Sequence, residues 1–177
     1  MEECIFCKIA AKTIPSLTVY EDEEFMVLLD INPLNPGHML VIPKQHYRWV
    51  YDVPQFGRYW EIAKTVALAA VRVLEAKTVN FMTMGFTVPH AHIHVVPRFE
   101  NDGHGELPDR ASAKQIEKEE MEEIRNKLKG AVDEIAKEKA VESGAKDAEG
   151  QKEEAEEPKP SRSEEDVFWM KREMEIG

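Results

Sequence analysis

This sequence of 177 residues lacks several features on which other protein classes depend. It contains only two cysteines, Cys4 and Cys7, which are too few for the disulfide framework of a small secreted domain. It has no apolar run near the roughly 20 residues that a membrane helix needs, and its first residues do not resemble a signal peptide. We therefore expect a cytoplasmic protein that does not enter a membrane.

Positive charge is scarce as well. The sequence has 23 Lys and Arg against 34 Asp and Glu, a net charge of −11, and the basic residues form no stripe. Proteins that bind double-stranded nucleic acid use a basic surface to neutralise phosphates, so we expect no such ligand. The hydrophobic residues, 42% of the total, are enough for one core in the first two-thirds of the chain.

The spacing of hydrophobic residues divides the first 140 residues into strands and helices. Short or alternating apolar runs predict five strands, and a period near 3.6 residues predicts helices over 58–76 and 111–140. Hairpin-like connections favour an antiparallel sheet. The sequence therefore predicts an α+β fold, a five-stranded antiparallel sheet with a long helix between strands and a C-terminal helix. The predicted strands are 16–22, 24–30, 38–43, 78–85 and 89–97.

The composition changes near residue 140, which suggests a domain boundary. We expect a folded domain over 1–140. Residues 141–163 have almost no apolar side chains to offset the entropy of ordering, so they are expected to form an acidic flexible linker. Aromatic residues return after Ser163, a candidate N-cap, and predict a tail helix over 164–177. That tail either docks on the domain or a partner, or is loosely attached.

Three of the six histidines stand at every second position of VPHAHIHVVPR (88–98), as His90, His92 and His94. Alternate residues of a strand share a face of the sheet and are spaced roughly 6–7 Å apart. The three imidazoles would then share one face, and the small or apolar residues between them would face the core. A core does not accommodate three imidazoles without partners. The sequence therefore predicts a polar site on the histidine face.

Three interpretations of that face remain open from the residues alone. Two or three imidazoles could ligate a metal ion. One imidazole could attack an electrophile while its neighbours stabilise the developing charge. The third interpretation is a solvated face on an edge strand.

The Cys4-x-x-Cys7 pair is ambiguous between redox chemistry and metal binding. The thioredoxin-like context that a redox motif needs is absent. Zinc needs four ligands in a tetrahedron, often two Cys and two His, so the pair alone does not complete a site.

The segment HAHIHVV (90–96) resembles the signature of the histidine-triad family. CIFCKIAAKTIPS (4–16), VYEDEEFMVLLDINPLNPGHMLVIPKQH (19–46) and VVPR (95–98) are also similar to that family in order and spacing, and the resemblance covers about residues 4–132. It implies a small α+β domain, usually a homodimer. It also implies a nucleotidyl hydrolase or transferase that cleaves at the α-phosphate of nucleoside phosphoramidates or dinucleoside polyphosphates.

The resemblance implies roles for four residues around the phosphate. His92 matches the nucleophile, which would form a covalent nucleotidyl-histidine intermediate, with the carbonyl of the first triad residue holding its other ring nitrogen. An imidazole with an unperturbed pKa near 6.5 is mostly neutral at pH 7 and therefore nucleophilic. His94 and His38 match rings that lie beside the phosphate and offset its charge. Thr87 matches a serine that contacts the phosphate.

The resemblance also implies the residues that hold the nucleoside. Asp30 matches the acid that accepts both ribose hydroxyls, although aspartate at a strand end is commonly a turn former. Five apolar residues match the slot for the base, and without the resemblance they would be assigned to the core. They are Ile5, Phe6, Ile9, Leu28 and Ile31.

The branch of the family that carries CxxC binds zinc with this pair and two histidines. The matching positions here are His46 and His90, so Cys4, Cys7, His46 and His90 would form a closed, structural zinc site. The alternative is a pair of reduced, buried cysteines without metal.

The chain departs from the family near the leaving group. Phe86 stands where many members carry a polar glutamine, and VNFMTMG (79–85) lacks the usual Gly-rich run, so the substrate stays open. Arg98 could reach a distal phosphate or be a surface arginine. His104 has no matching role and is expected in a surface turn.

Three functions are compatible with these residues. The first is an enzyme that uses His92. The second is a nucleotide-binding or sensing module with weak catalysis, whose tail 142–177 recruits a partner; the intact His92 argues against lost chemistry. The third is a zinc hydrolase whose metal is held by the triad itself. Cys4, Cys7 and His46 argue against it, because they supply metal ligands at a different place.

Overall fold

The structure is a computed structural model that describes residues 4–149, without the side chains of Arg110 and of residues 142–149. Its five strands are β1 (Thr18–Glu21), β2 (Phe25–Leu29), β3 (Met39–Pro43), β4 (Thr78–Thr83) and β5 (Ile93–Arg98). All neighbours pair antiparallel, in the spatial order β1–β2–β3–β5–β4. The predicted α+β fold with a five-stranded antiparallel sheet is confirmed.

Three α-helices accompany the sheet: α1 (Ile5–Ala10), α2 (Phe56–Leu74) and α3 (Lys118–Glu149). Short 3-10 turns lie at Val50–Asp52 and Arg110–Ser112. Helix α2 buries a face rich in alanine, whose small side chains allow close approach to the sheet. The Tyr59 hydroxyl on that face donates to the carbonyl oxygen of Val41 at 2.9 Å, and this bond links α2 to β3.

Both faces of the central strands are buried, and each face belongs to a different apolar cluster. Val27 and Val41 lie in the larger cluster, together with α2 and α3. The neighbouring residues Leu28 and Leu40 lie in a smaller cluster with Phe6 and Ile9 of α1. This alternation follows from the two-residue period of a strand. His94 pairs with Leu40 across β5 and β3, so the histidines lie on the face that α1 covers.

Several boundaries differ from the sequence-based prediction. Strand β5 begins at Ile93 rather than residue 89, because the amides of His90 and Ala91 bond to Val88 O and Tyr47 O instead of a neighbouring strand. Helix α1 was not predicted, since six residues are too few for a helical period to be recognised.

Helix α3 also differs from the predicted 111–140. It begins at Lys118 because the amide of Lys114 donates to Pro33 O, which holds that segment out of the helix. It continues to Glu149, so its last turns overlap the predicted linker. The rest of that linker and the predicted tail helix 164–177 lie outside the described residues. The division into domain, linker and tail stays a prediction.

Among the described residues, no helix is both long enough and apolar enough to cross a membrane.

Candidate active site and metal centre

The three alternating histidines share the α1 face of the sheet, although only His94 belongs to β5. His94 pairs with Leu40 on β3 and with Met82 on β4, and side chains directly opposite in an antiparallel pair share a face. The rings of His92 and His94 are 4.9 Å apart, and the ring of Phe6 on α1 lies 5.3 Å from that of His92. All three histidines are buried. The open solvated face is therefore wrong, and the predicted alternation of faces extends beyond the strand.

A backbone carbonyl fixes the tautomer of His92. Its Nδ1 lies 2.6 Å from the carbonyl oxygen of His90. A carbonyl oxygen can only accept, so Nδ1 carries the proton and donates. In the neutral ring the lone pair is then on Nε2. This is the arrangement a nucleophilic imidazole requires, and the contact is the one that the family resemblance implies.

His38 and His94 form a hydrogen-bonded pair in which each proton can be assigned. The amide of Leu34 donates to Nδ1 of His38 at 3.2 Å, so a neutral His38 carries its proton on Nε2. That Nε2 lies 2.9 Å from Nδ1 of His94 and donates to it. In the neutral pair, Nε2 of His94 is consequently a hydrogen-bond donor. The pair can stabilise negative charge without being protonated.

Asp30 lies just after β2, next to His38. Its Oδ1 accepts from the amide of Asn32, and its Oδ2 is 3.7 Å from Nδ1 of His38. The two residues line a small cavity of about 30 Å³ together with His94 and Met84. The structure thus brings together three residues that the sequence assigns to one site: Asp30, His38 and His94.

The residues predicted to hold the base fall into two groups. Phe6, Ile9 and Leu28 are buried in one apolar cluster beside the histidines. Ile5 and Ile31 are 43% and 82% exposed and lie outside that cluster. Thr87 is exposed and lines a separate groove.

The second predicted site, the cluster of Cys4, Cys7, His46 and His90, is brought together by α1. Cys4 is the N-cap of α1 and Cys7 lies three residues later, so one helical turn puts both sulfurs on one side. The Nδ1 of His90 is 3.3 Å from Sγ of Cys4 and 3.6 Å from Sγ of Cys7. The Nδ1 of His46 is 3.3 Å from Sγ of Cys7.

These distances and protonation states fit a zinc ion. The four ligand atoms lie within 4.8 Å of one another, and Zn–S and Zn–N bonds of about 2.3 and 2.05 Å give a tetrahedral S···N edge of roughly 3.6 Å. The Nε2 of His90 donates to the Pro43 carbonyl oxygen at 2.9 Å, so its Nδ1 presents a lone pair to the sulfurs. The chemistry of the donor set therefore suits a closed, tetrahedral metal site.

Burial shifts the pKa of two members of the cluster. It lowers the pKa of His90 to about 4, so this imidazole is neutral at pH 7 as a metal ligand must be. Burial raises the pKa of the Cys7 thiol to about 11, and the hydrogen bond to Cys4 adds to the shift. The thiolate form of Cys7 therefore requires a cation beside it.

A second group of potential ligands, formed by Asp30, His38 and His94, is explained without a metal. Both nitrogens of His38 are engaged in hydrogen bonds, one from Leu34 and one to His94. His38 then has no lone pair for an ion. This argues against a zinc hydrolase whose metal is held by the triad.

Arg98 and His104 have contacts that the sequence does not predict. The Arg98 guanidinium donates to Asp102 Oδ2 at 2.6 Å, to Asn80 Oδ1 at 2.7 Å and to backbone oxygens of residues 104–106. Its side chain is only 11% exposed, so it is not a surface arginine, and its donors are occupied within the protein. His104 is half-buried and its Nε2 lies 2.9 Å from the Leu34 carbonyl oxygen. The expectation of a surface turn residue is wrong for His104.

Sequence reasoning also missed two features near the site. Asn35 donates from Nδ2 to Asp102 Oδ2 and to Pro97 O. Its backbone carbonyl oxygen accepts a hydrogen bond from the amide of His38. Trp49 packs against Gly85 in the groove that contains Thr87. The aromatic run YRWVY (47–51) was the signal available for Trp49, whereas nothing in the sequence links Asn35 to Asp102.

Known proteins with similar sequences include two that are named as enzymes. An adenylylsulfatase of Arabidopsis thaliana is 35% identical over 107 residues, which cover 56% of this chain and 54% of that protein. An adenosine 5'-monophosphoramidase of Saccharomyces cerevisiae is 32% identical over 100 residues, which cover 54% of this chain and 62% of that protein.

Other relatives match over more of their length. A HIT-like protein of Methanocaldococcus jannaschii is 34% identical over 136 residues, covering 72% of this chain and 99% of that protein. The crystal structure of a zinc-bound histidine triad family protein from Mycobacterium smegmatis is similar with a TM-score of 0.63 and 32% identity, covering 77% of this chain and 97% of the other. The HIT domain itself matches residues 11–101, more than half of the sequence. The chain therefore belongs to the HIT domain family.

Proposed function

We propose that this protein is a nucleotidyl hydrolase or transferase that cleaves at the α-phosphate of a nucleotide through a covalent bond to His92. The observation that carries the proposal is the 2.6 Å contact between His92 Nδ1 and the His90 carbonyl oxygen. Two relatives named as an adenylylsulfatase and an adenosine 5'-monophosphoramidase also support it, because both names describe cleavage at a nucleoside phosphate.

The first step is attack by Nε2 of His92 on the α-phosphorus. A P–N bond forms, the bond to the leaving group breaks, and the leaving group departs with the electron pair. The ring then carries a positive charge, and its Nδ1–H remains bonded to the His90 carbonyl, whose partial negative charge stabilises the cation. Water or another acceptor attacks phosphorus in the second step and releases the imidazole.

The phosphate oxygens would be held by the pair of His38 and His94. Negative charge that spreads over these oxygens in the transition state is stabilised by donors fixed in advance. The donor Nε2 of His94 meets this need, because His38 holds the opposite nitrogen. The resemblance also assigns a phosphate contact to the Thr87 hydroxyl, which lines a separate groove and not the cavity of His38 and His94.

The nucleoside would lie between α1 and the end of β2. Asp30 has two carboxylate oxygens suited to the two ribose hydroxyls, and Asn32 occupies only Oδ1 as a backbone donor. Phe6, Ile9 and Leu28 give the base an apolar wall, with the exposed side chains of Ile5 and Ile31 at its edge.

The test compares wild type with His92→Asn on adenosine 5'-phosphoramidate and diadenosine polyphosphates. We expect AMP release from wild type only, and a nucleotide adduct on the His92 peptide when the reaction is quenched at alkaline pH, where P–N bonds of phosphoimidazoles persist. Glu100→Gln is the matched control, because it changes a side chain that is 75% exposed and is not among the residues assigned to the site. Equal AMP release by wild type and His92→Asn, or none from either, contradicts the proposal.

We also propose that Cys4, Cys7, His46 and His90 bind one structural zinc ion, as in the CxxC branch of the family. The ligand distances, the neutral His90 and the zinc-bound neighbour from Mycobacterium smegmatis support it. Zinc would tie α1 to the segment around His90, whose carbonyl orients His92. The ion would hold the scaffold and take no part in the chemistry.

Metal analysis tests the zinc proposal directly. Wild type should contain about one equivalent of zinc per chain, Cys4→Ser should contain far less, and His104→Gln should match wild type. Loss of the metal should also lower the thermal unfolding temperature, because zinc binds the folded state. Unchanged zinc in Cys4→Ser would remove the four-ligand site.

We further propose a cytoplasmic homodimer. Thiolate ligands persist in a reducing compartment, which supports the location. The dimer is supported by β4, which is the last strand of the sheet and leaves Phe81 42% exposed, and by Val71 on α2, which is 43% exposed. Light scattering should give twice the chain mass, and Phe81→Glu should lower it while Leu107→Glu does not. A monomeric wild type would exclude the dimer.

A further inference from the structure

His104 is a half-buried histidine to which neither the family resemblance nor the mechanism described so far gives a role. Its ring contacts the turn that precedes His38. Nε2 lies 2.9 Å from the carbonyl oxygen of Leu34, so Nε2 carries the proton and donates. Its Nδ1 is buried and has no hydrogen-bond partner among the described residues. Within that part of the chain, the Leu34 carbonyl is therefore the one hydrogen-bond partner of this ring.

The backbone of His104 is held on both sides. Its amide donates to Oδ1 of Asp102 at 3.0 Å, and its carbonyl oxygen accepts from Nη2 of Arg98 at 3.3 Å. Arg98 and Asp102 are themselves an ion pair that is shielded from solvent. The loop after β5 therefore presents the His104 ring to Leu34 from a fixed backbone.

Leu34 connects His104 to the pair of His38 and His94. Its carbonyl oxygen accepts from His104, and its amide donates to Nδ1 of His38 at 3.2 Å. Leu34 is 2% exposed, so solvent offers no ready substitute for either partner. A buried carbonyl that loses its donor is costly, and the chain shifts to find another. The amide of the same residue would shift with it, away from His38.

A carboxylate competes with the Leu34 amide for the same ring nitrogen. Oδ2 of Asp30 is 3.7 Å from Nδ1 of His38, slightly too far for a hydrogen bond. The amide is a donor and the carboxylate is an acceptor, so they require opposite protonation states of Nδ1. With the amide in place, Nδ1 presents a lone pair. Without it, a proton on Nδ1 would be stabilised by a charge-assisted bond to Asp30.

The protonation state of His38 Nδ1 decides the direction of the hydrogen bond between His38 and His94. In the structure, Nε2 of His38 donates to Nδ1 of His94 at 2.9 Å, so a neutral His94 carries its proton on Nε2. If His38 carried its proton on Nδ1, the bond would reverse and His94 would donate from Nδ1. Each ring would still have one proton, but Nε2 of His94 would present a lone pair. A lone pair repels phosphate oxygens, whereas an N–H stabilises their charge.

We propose that His104 is a positioning residue that keeps Nε2 of His94 a hydrogen-bond donor, by holding Leu34 against His38. It acts through a chain of three hydrogen bonds, from His104 to Leu34, from Leu34 to His38 and from His38 to His94. The consequence for catalysis rests on the proposed function. The protonation pattern itself is a property of the protein without substrate, so it can be measured separately.

The experiment locates the ring protons of the full chain by two-bond nitrogen–proton NMR, at about pH 8, where an unperturbed imidazole is neutral. Wild type should carry the proton on Nε2 in both His38 and His94. His104→Ala should move a large part of both to Nδ1. His104→Gln should keep the wild-type pattern, because its side-chain amide can still donate to Leu34. Glu100→Ala is the matched control in the same loop, 75% exposed, and should also keep it.

A second variant and the kinetics complete the test. His104→Glu has the shape of His104→Gln but only accepts when ionised, so it should behave as His104→Ala, and the test does not depend on one variant folding. Both should lower kcat for AMP release about tenfold, less than the roughly 10²–10³-fold for a donor lost outright, because only part of the molecules reverse.

Three results overturn the assignment of His104. They are a wild type with the proton on Nδ1 of His38, unchanged ring protons in His104→Ala and His104→Glu, and a His104→Gln that behaves like these two variants. The NMR measurement needs no turnover. A wild type that releases no AMP would therefore count against the proposed function alone.

Discussion

Substitution of Asp102 by Asn should destabilise the protein and displace His38, although neither Asp102 nor its loop belongs to the triad. Asp102 accepts hydrogen bonds from Nε and Nη2 of Arg98, from Nδ2 of Asn35 and from the amides of Phe99 and His104. The Asp102 side chain is 3% exposed and that of Arg98 is 11% exposed. The ion pair of Arg98 and Asp102 is therefore shielded from solvent, and each member has further hydrogen-bond partners.

The expected loss of stability follows from that burial. Removing one partner of a buried ion pair leaves the other charge uncompensated, which costs about 3–5 kcal/mol. The amide of Asn keeps the shape and one acceptor oxygen, so we expect the lower end, about 3 kcal/mol. For a domain of this size this corresponds to a decrease in melting temperature of roughly 6–12 °C.

Glu100→Gln is the matched control in the same loop. Glu100 pairs with Lys77 at 3.7 Å, but the two side chains are 75% and 71% exposed. An exposed pair contributes about 0–1 kcal/mol, so this variant should melt close to wild type. Thermal unfolding of both variants, followed by circular dichroism, measures the difference. Equal melting temperatures for the two variants would refute the assignment of Arg98 and Asp102 as a stabilising pair.

The same substitution should change the pH dependence of stability. The Arg98 guanidinium holds the pKa of Asp102 well below its usual range. A carboxyl whose pKa is lowered by folding stabilises the protein above its unfolded value, about 3.9, and loses that contribution as the pH falls towards the folded value. Wild type should therefore lose stability below about pH 4 more steeply than Asp102→Asn.

The substitution should also lower activity. The side-chain amide of Asn35 donates to Asp102, and its backbone carbonyl oxygen accepts a hydrogen bond from the amide of His38. Loosening Asn35 therefore lets His38 move away from His94. We expect a reduced kcat for AMP release with little change in KM, whereas Glu100→Gln should retain both.

Two further substitutions test the fold that carries the site. Gly37 has φ +78°, and an added Cβ would collide with Leu74 of α2, so Gly37→Ala should cost about 1–3 kcal/mol in chemical denaturation; a stability equal to that of wild type would show that α2 packs differently. Tyr59→Phe removes the hydroxyl that donates to Val41 and should cost about 1 kcal/mol without loss of activity. A neutral effect on stability would mean that this buried bond contributes nothing.

The parts of the fold that could be predicted are those set by local periodicity. All five strands and both long helices were expected near their observed positions, because a two-residue or 3.6-residue pattern is visible within each segment. The start of β5 at Ile93 was not predictable, since it depends on Ala91 bonding to Tyr47 O more than 40 positions away. Helix α1 is too short to show a period, and α3 starts late because Lys114 is held by Pro33.

Contacts in and near the candidate site were predictable only where the family resemblance supplied them. The meeting of Cys4, Cys7, His46 and His90 was expected from the family resemblance, which carries information about long-range contacts that spacing lacks. The partners of Arg98 and His104 were not expected, because the irregular segment after β5 folds back on Arg98 and brings His104 to the Leu34 carbonyl, and no local period marks either contact. A charged or polar residue in a sequence does not reveal whether its partner is solvent, substrate or the protein itself.

His90 joins the cluster of Cys4, Cys7 and His46 to His92, the proposed nucleophile. His90 presents Nδ1 to the sulfurs of Cys4 and Cys7, donates from Nε2 to the Pro43 carbonyl, and orients His92 through its own carbonyl oxygen. One residue thus connects α1, β3 and the proposed nucleophile. A ring fixed at both nitrogens cannot rotate, so its backbone is held as well, and the tautomer of His92 depends on that backbone. In the proposed mechanism, His90 thus positions His92 without contacting the substrate.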